Sequence, residues 1–117
     1  SESTFTFFVV DDSDLVLTNV LNYPNPFISH TEFWFNHNKP NQLLNVQVQI
    51  FTVSGKLVKT INEAIQSEGN LSRSITWNGL DDFGSKIGKG VYVYKLKVFT
   101  ADSNIKAEKI EKLVILQ

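Results

Sequence analysis

Between Val91 and Val98 the chain reads V-Y-V-Y-K-L-K-V, eight residues in strict alternation. Tyr92, Tyr94, Leu96 and Val98 fall on one face, and Val91, Val93, Lys95 and Lys97 on the other. Side chains of a strand project alternately to opposite sides, so this pattern predicts a β-strand with one buried and one wet face. Two lysines on the second face exclude burial on both sides. The stretch is reached from Trp77 through Asn78-Gly79, Asp81-Asp82 and the glycines Gly84, Gly88 and Gly90. Asn-Gly tolerates positive φ, and aspartates hydrogen-bond nearby amides in turns. The unit Trp77–Val98 therefore reads as strand, long hairpin loop, strand, with Asp81 and Asp82 as turn formers.

The same alternation recurs along the chain. Leu15–Tyr23 is a strand candidate that stops at Tyr23-Pro24-Asn25-Pro26-Phe27, because proline cannot donate to a sheet ladder. Phe27 is expected to anchor that bend to the core. In Thr31–His37, Thr31, Phe33, Phe35 and His37 share one side, which leaves Trp34 on the polar face. Either a neighbouring loop or the N-terminal strand covers Trp34, or it is a surface contact. Val46, Val48 and Ile50 alternate with Gln47, Gln49 and Phe51. Thr52–Lys56 then turns the chain, and Leu57–Ile65 returns as hairpin partner. Leu71–Trp77 is a further strand. Ala101–Asn104 reads as a hairpin connector into Ile105–Leu116, whose end, Leu113-Val114-Ile115-Leu116, is wholly apolar. Seven or eight short strands, turn signals every eight to twelve residues and no convincing helix predict an all-β fold. The expected form is an immunoglobulin-like antiparallel β-sandwich of about seven strands. Its expected core holds Phe33, Phe35, Val46, Val48, Ile50, Trp77, Tyr92, Leu96 and Val98, with Lys95 and Lys97 outside.

Composition bounds the function. The 117 residues suit one domain with a two-layer core. A net charge of −1 carries no footprint for nucleic acid. There is no cysteine, hence no disulfide, thiol chemistry or zinc–thiolate site. The chain contains no methionine and passes from Ser-Glu-Ser straight into Phe5-Thr6-Phe7-Phe8-Val9-Val10, which reads as cut from something longer. In the acidic cluster Asp11-Asp12-Ser13-Asp14, Val16 breaks the alternation of acids, and no glycine or terminal glutamate follows as a calcium loop requires. It reads as a connector. A zinc site would need His30, His37 and a carboxylate to converge. No nucleophile–base pattern, phosphate loop or H-E-x-x-H is present, so no catalytic residue and no cofactor are expected.

Taken in order, several pieces form a recognisable set. They are Asn22-Tyr23-Pro24-Asn25-Pro26-Phe27, Thr31–Phe35, Val46–Phe51 with Ser54-Gly55-Lys56-Leu57-Val58, Trp77-Asn78-Gly79, Asp81–Gly84, Gly88–Tyr92 and Glu111–Leu116. The set resembles the C-terminal signal domain of type IX secretion cargo in Bacteroidetes. That group is related in pattern to the immunoglobulin-like domain of the flagellar hook-cap protein FlgD. Within it, the chain looks most like the C-terminal end of the system's gingipain-like sortases. The resemblance implies a division into residues 1–14, the last strand of a preceding domain plus an acidic linker, and residues 15–117, the signal domain.

It also implies a non-catalytic sorting and docking role. The implied partners are a type IX translocon or outer-membrane shuttle protein and an upstream peptidase domain of the same chain. The implied location is the periplasm in transit, then the outer-membrane cell surface or the medium. On this reading the candidate docking residues are Lys112, Leu113, Val114, Ile115 and Leu116, and the candidate surface contact is Trp34. Two readings compete with it. One is a carbohydrate-binding sandwich that uses Trp34 and nearby aromatics, and the other is a structural spacer in a surface enzyme.

Overall fold

The structure, a computed structural model, describes residues 15–101 and 105–116. The run Thr4–Val10 and the acidic cluster Asp11–Asp14 lie outside the described residues. Seven strands follow one another without a helix among the described residues: β1 Leu17–Tyr23, β2 Thr31–His37, β3 Leu43–Thr52, β4 Leu57–Gln66, β5 Leu71–Trp77, β6 Gly90–Thr100 and β7 Lys106–Ile115. They form a three-stranded sheet in the order β1-β2-β5 and a four-stranded sheet in the order β4-β3-β6-β7. Every pairing between these strands is antiparallel. The predicted all-β sandwich of seven strands is the fold observed.

Alternation explains which side of each sheet is inside. Phe33 and Phe35 of β2 face Val46, Val48 and Ile50 of β3 and Tyr94, Leu96 and Val98 of β6, and all are buried. Phe33 and Tyr94 meet edge to face across the sheets, with ring centroids 4.9 Å apart. Such pairs add about 0.5–1.5 kcal/mol beyond the area they bury. Trp77 is buried as expected, and its Nε1–H donates to the carbonyl of Leu80 at 2.9 Å. Lys95 and Lys97 stand on the outer face of β6, half-buried, and Lys95 lies 4.0 Å from Glu108 of β7.

Two expectations are corrected. Tyr92 is half-buried rather than in the core. It sits at the end of the sandwich, where its hydroxyl donates to the carbonyl of Gly88 at 2.8 Å, so its polar tip stays at the surface. Tyr94 fills the central position instead. The loop between Trp77 and Val91 is not a hairpin, because β5 and β6 belong to different sheets. The loop crosses from one layer to the other, and Trp77, at its start, is buried between them. On the way it lies along the outer edge of β4. The amide of Asp82 donates to the carbonyl of Val58 (3.2 Å), and the Asp82 carboxylate accepts from the amide of Thr60 (3.2 Å). Asp81 forms the turn as predicted, accepting from the amides of Phe83 and Ser85, both at 2.9 Å. Gly84 closes that turn at φ +83°, where a side chain would be strained.

Candidate docking surfaces

The apolar end of β7 is placed by two neighbours. On one side β6 pairs along its whole length, from Phe99↔Lys106 to Gly90↔Ile115. On the other, the segment after the two prolines seals its last residues. The amide of Phe27 donates to the carbonyl of Val114 (3.0 Å), and the amide of Leu116 donates to the carbonyl of Phe27 (2.9 Å). The Asn25 side chain accepts from the amide of Val114 (3.0 Å) and donates to the carbonyl of Lys112 (3.3 Å). Phe27 can do this because its ring is buried against Trp77, with centroids 5.6 Å apart. Of the five candidate docking residues, Leu113 and Ile115 therefore point into the core and are fully buried. Lys112, Val114 and Leu116 point elsewhere; Lys112 and Leu116 are exposed and Val114 is half-buried.

The edges of the four-stranded sheet are thus managed at one end, β7 by Asn25 and Phe27 and β4 by Asp82. Unpaired edge groups invite pairing with another chain, and covering them with loop segments suppresses it.

Trp34 lies on the outer face of the three-stranded sheet, as its alternation requires. It is half-buried, and neighbours on its own sheet surround it. Tyr23 stands 5.4 Å away at 46°, its Nε1–H donates to Glu32 Oε1 at 2.9 Å, and the Arg73 guanidinium lies 4.4 Å over its ring. A guanidinium in that position is held by the ring's quadrupole. The ring face that a sugar would stack on is therefore occupied, and the two aromatics are tilted rather than coplanar.

The histidines do not converge. His30 precedes β2 and His37 ends it, so the length of a seven-residue strand separates them, roughly 20 Å. Among the described residues no group of three His, Asp or Glu side chains is arranged to hold a metal ion. His37 is buried, and its Nδ1 accepts from the amide of Lys39 at 3.1 Å, which places the proton of the neutral ring on Nε2. Burial pushes its pKa below the usual histidine value. An open cleft of about 280 Å³ runs between the end of β4 and β5, lined among others by His37, Ile65, Ser67 and Ser72. His37 Nε2 and Ser72 Oγ have no hydrogen-bond partner and are shut off from solvent, so the cleft presents neither to a ligand.

The outer face of the four-stranded sheet carries an apolar group that no motif in the sequence marks. Register aligns Leu57, Phe51 and Val93 in one row across β4, β3 and β6, and Val91 with Val114 in the next row across β6 and β7. The signal was present in Val91 and Val93, which share a face with Lys95 and Lys97, where water alone would favour polar residues.

No curated protein matches the chain in sequence. Among solved structures it is similar to the crystal structure of dimeric latent PorU from Porphyromonas gingivalis, with a TM-score of 0.76 and 29% identity over 92% of this chain. The chain spans only 10% of the length of that PorU chain. The FlgD Ig-like domain model matches residues 29–102, which run from the start of β2 through all of β6. That match covers more than half of the sequence, and the chain belongs to the FlgD Ig-like domain family.

Proposed function

We propose that this chain is a non-catalytic sorting and docking domain of a type IX secreted or surface-attached Bacteroidetes protein, in particular of a PorU-like sortase. The observation that carries the reading is the likeness to PorU, which extends over 92% of the chain at 29% identity. On this reading any peptidase chemistry belongs to an upstream domain of the same polypeptide; the chain spans a tenth of the PorU chain it resembles. The partners on this reading are that upstream domain and a type IX translocon or outer-membrane shuttle protein. The route runs through the periplasm to the cell surface or medium. With Leu113 and Ile115 in the core, recognition of the C-terminal end is recognition of the folded domain, with Lys112, Val114 and Leu116 on its surface.

The test removes residues 15–117 from the full-length protein in its own bacterium and measures the protein at the cell surface and in the periplasm. Sorting predicts loss from the surface with accumulation in the periplasm. Normal surface levels would leave the domain as a spacer and end the sorting reading. Cutting only residues 112–117 is a poorer test, because it strips Leu113 and Ile115 from the core. Each buried aliphatic side chain is worth about 1.5–3 kcal/mol.

A further inference from the structure

The outer face of the four-stranded sheet changes character along its length. Toward the Leu43 end of β3 it carries Asn45, Gln47 and Gln49, with Asn62 opposite Gln47 and hydrogen-bonded to it at 3.1 Å. Toward the Thr52 end it carries Leu57, Phe51, Val93, Val91 and Val114, and Ile110 of β7 adjoins them one row back, where it pairs with Lys95 of β6 in the row of Gln49. Leu57, Val91 and Ile110 are 43%, 47% and 58% exposed. This patch runs across all four strands and includes a residue of the terminal segment. An apolar group gathered on one face and rimmed by polar residues marks an interaction site more often than scattered exposed side chains do.

The rim says what fits there. Lys112 is paired in register with Val93, Lys95 with Ile110, and Lys97 lies one row further along. Lys56 precedes Leu57 in the chain, and Lys89 stands two residues before Val91. Glu108 is the acid on this face of β7, and it is engaged with Lys95 at 4.0 Å. A second copy placed face to face would bring lysines against lysines. A lipid surface is met by protruding apolar side chains or an amphipathic helix, whereas these residues lie side by side along paired strands, with Phe51, Val93 and Val114 half-buried among them.

We infer that this end of the outer face is a docking surface for a protein partner that presents an apolar centre edged by carboxylates. The inference deepens the proposed docking role and rests on that reading only for the partner's place in the secretion route. Apolar contact supplies the seal, and the lysine rim steers the encounter and selects the partner.

The experiment places a photo-crosslinking amino acid at Val91, at Leu57 or, as a control on the other sheet, at Leu71 of the full-length protein in its own bacterium. Lys97→Glu and Lys112→Glu are then added together, and limited proteolysis of the purified full-length protein checks that the domain stays folded. The expected result is a protein adduct at positions 91 and 57, absent at 71, whose yield falls about tenfold with the double charge reversal. Adducts equally strong at 71, adducts indifferent to the reversal, adducts only to lipid, or adducts only to a second copy would each overturn the inference. Surface export of the same variants separates the two proposals. Position-specific, charge-dependent adducts with normal export uphold the docking face and remove sorting as its purpose. Export lost on domain deletion, with no such adducts, upholds sorting and removes this face.

Discussion

Replacing Trp77 with alanine tests how the two sheets are joined. The indole is 3% exposed, packs edge-on to Phe27 at 5.6 Å and donates to the carbonyl of Leu80 at 2.9 Å. A buried aromatic of this size hides about 150–250 Å², and at ~25 cal/mol per Å² that area corresponds to about 4–6 kcal/mol. Direct large-to-small substitutions of core aromatics cost about 3–5 kcal/mol, because the cavity partly relaxes. The lost hydrogen bond adds about 1 kcal/mol. The expected total is therefore about 4–6 kcal/mol, read from the urea midpoint with an unchanged slope, or a fall of roughly 16–24 °C in Tm for a domain of this size. Phe27 loses its packing partner in the same step, and Phe27 seals the end of β7. Hydrogen exchange at the amides of Phe27 and Leu116, which hold that seam, is expected to rise more than exchange at the centre of β3. An unchanged midpoint would show that Trp77 does not bridge the layers. A lowered midpoint without faster exchange at Leu116 would refute the link from Trp77 through Phe27 to the terminal strand.

Other perturbations follow from particular side chains. The Tyr94 hydroxyl is fully buried without a hydrogen-bond partner, and burial, then the Glu111 charge, pushes its pKa up. Tyr94→Phe is expected to stabilise the domain by about 1 kcal/mol in urea titration, since it removes an unsatisfied polar group and keeps the ring; a loss of stability would mean that the hydroxyl is satisfied. Asn25→Ala removes both side-chain bonds to β7 and is expected to cost about 1 kcal/mol, with exchange of the Val114 amide rising; protection left unchanged would assign the seal to Phe27 alone. His37 has a folded-state pKa below its ordinary 6.5, so below that pH the unfolded chain binds the extra proton first. Stability is full above about pH 6.5 and falls as pH drops from there toward the lower folded value. Tm followed from pH 8 to 5 in the wild type and in His37→Gln checks this, and equal slopes in the two would exclude His37 as the cause.

The period-two pattern determined most of the architecture by itself. Thr31–His37 and Leu71–Trp77 are strands with the bounds read from sequence, and the inward residues of β2, β3 and β6 are those the alternation names. The reason is local: each strand carries its own record of which face must leave water. The turn chemistry of Asp81 was legible for the same reason, since a carboxylate that accepts from amides two and four residues on needs no distant partner.

Only the tertiary structure decided how strands are shared between sheets. A loop such as Trp77–Val91 has the same glycines and aspartates whether it folds back on one sheet or crosses to the other, and the pairing of β6 with β3 and β7 is what takes it across. The terminal strand shows the same limit. Leu113 and Leu116 are equally apolar in sequence, yet pairing with β6 and capping by Phe27 bury the first and leave the second exposed. The apolar row of Leu57, Phe51 and Val93 exists only through register: the β3–β4 hairpin sets Leu57 beside Phe51, and Val93, about forty residues on, joins them once β6 hydrogen-bonds to β3. Alternation fixes the face on which a side chain stands, and pairing fixes its company there.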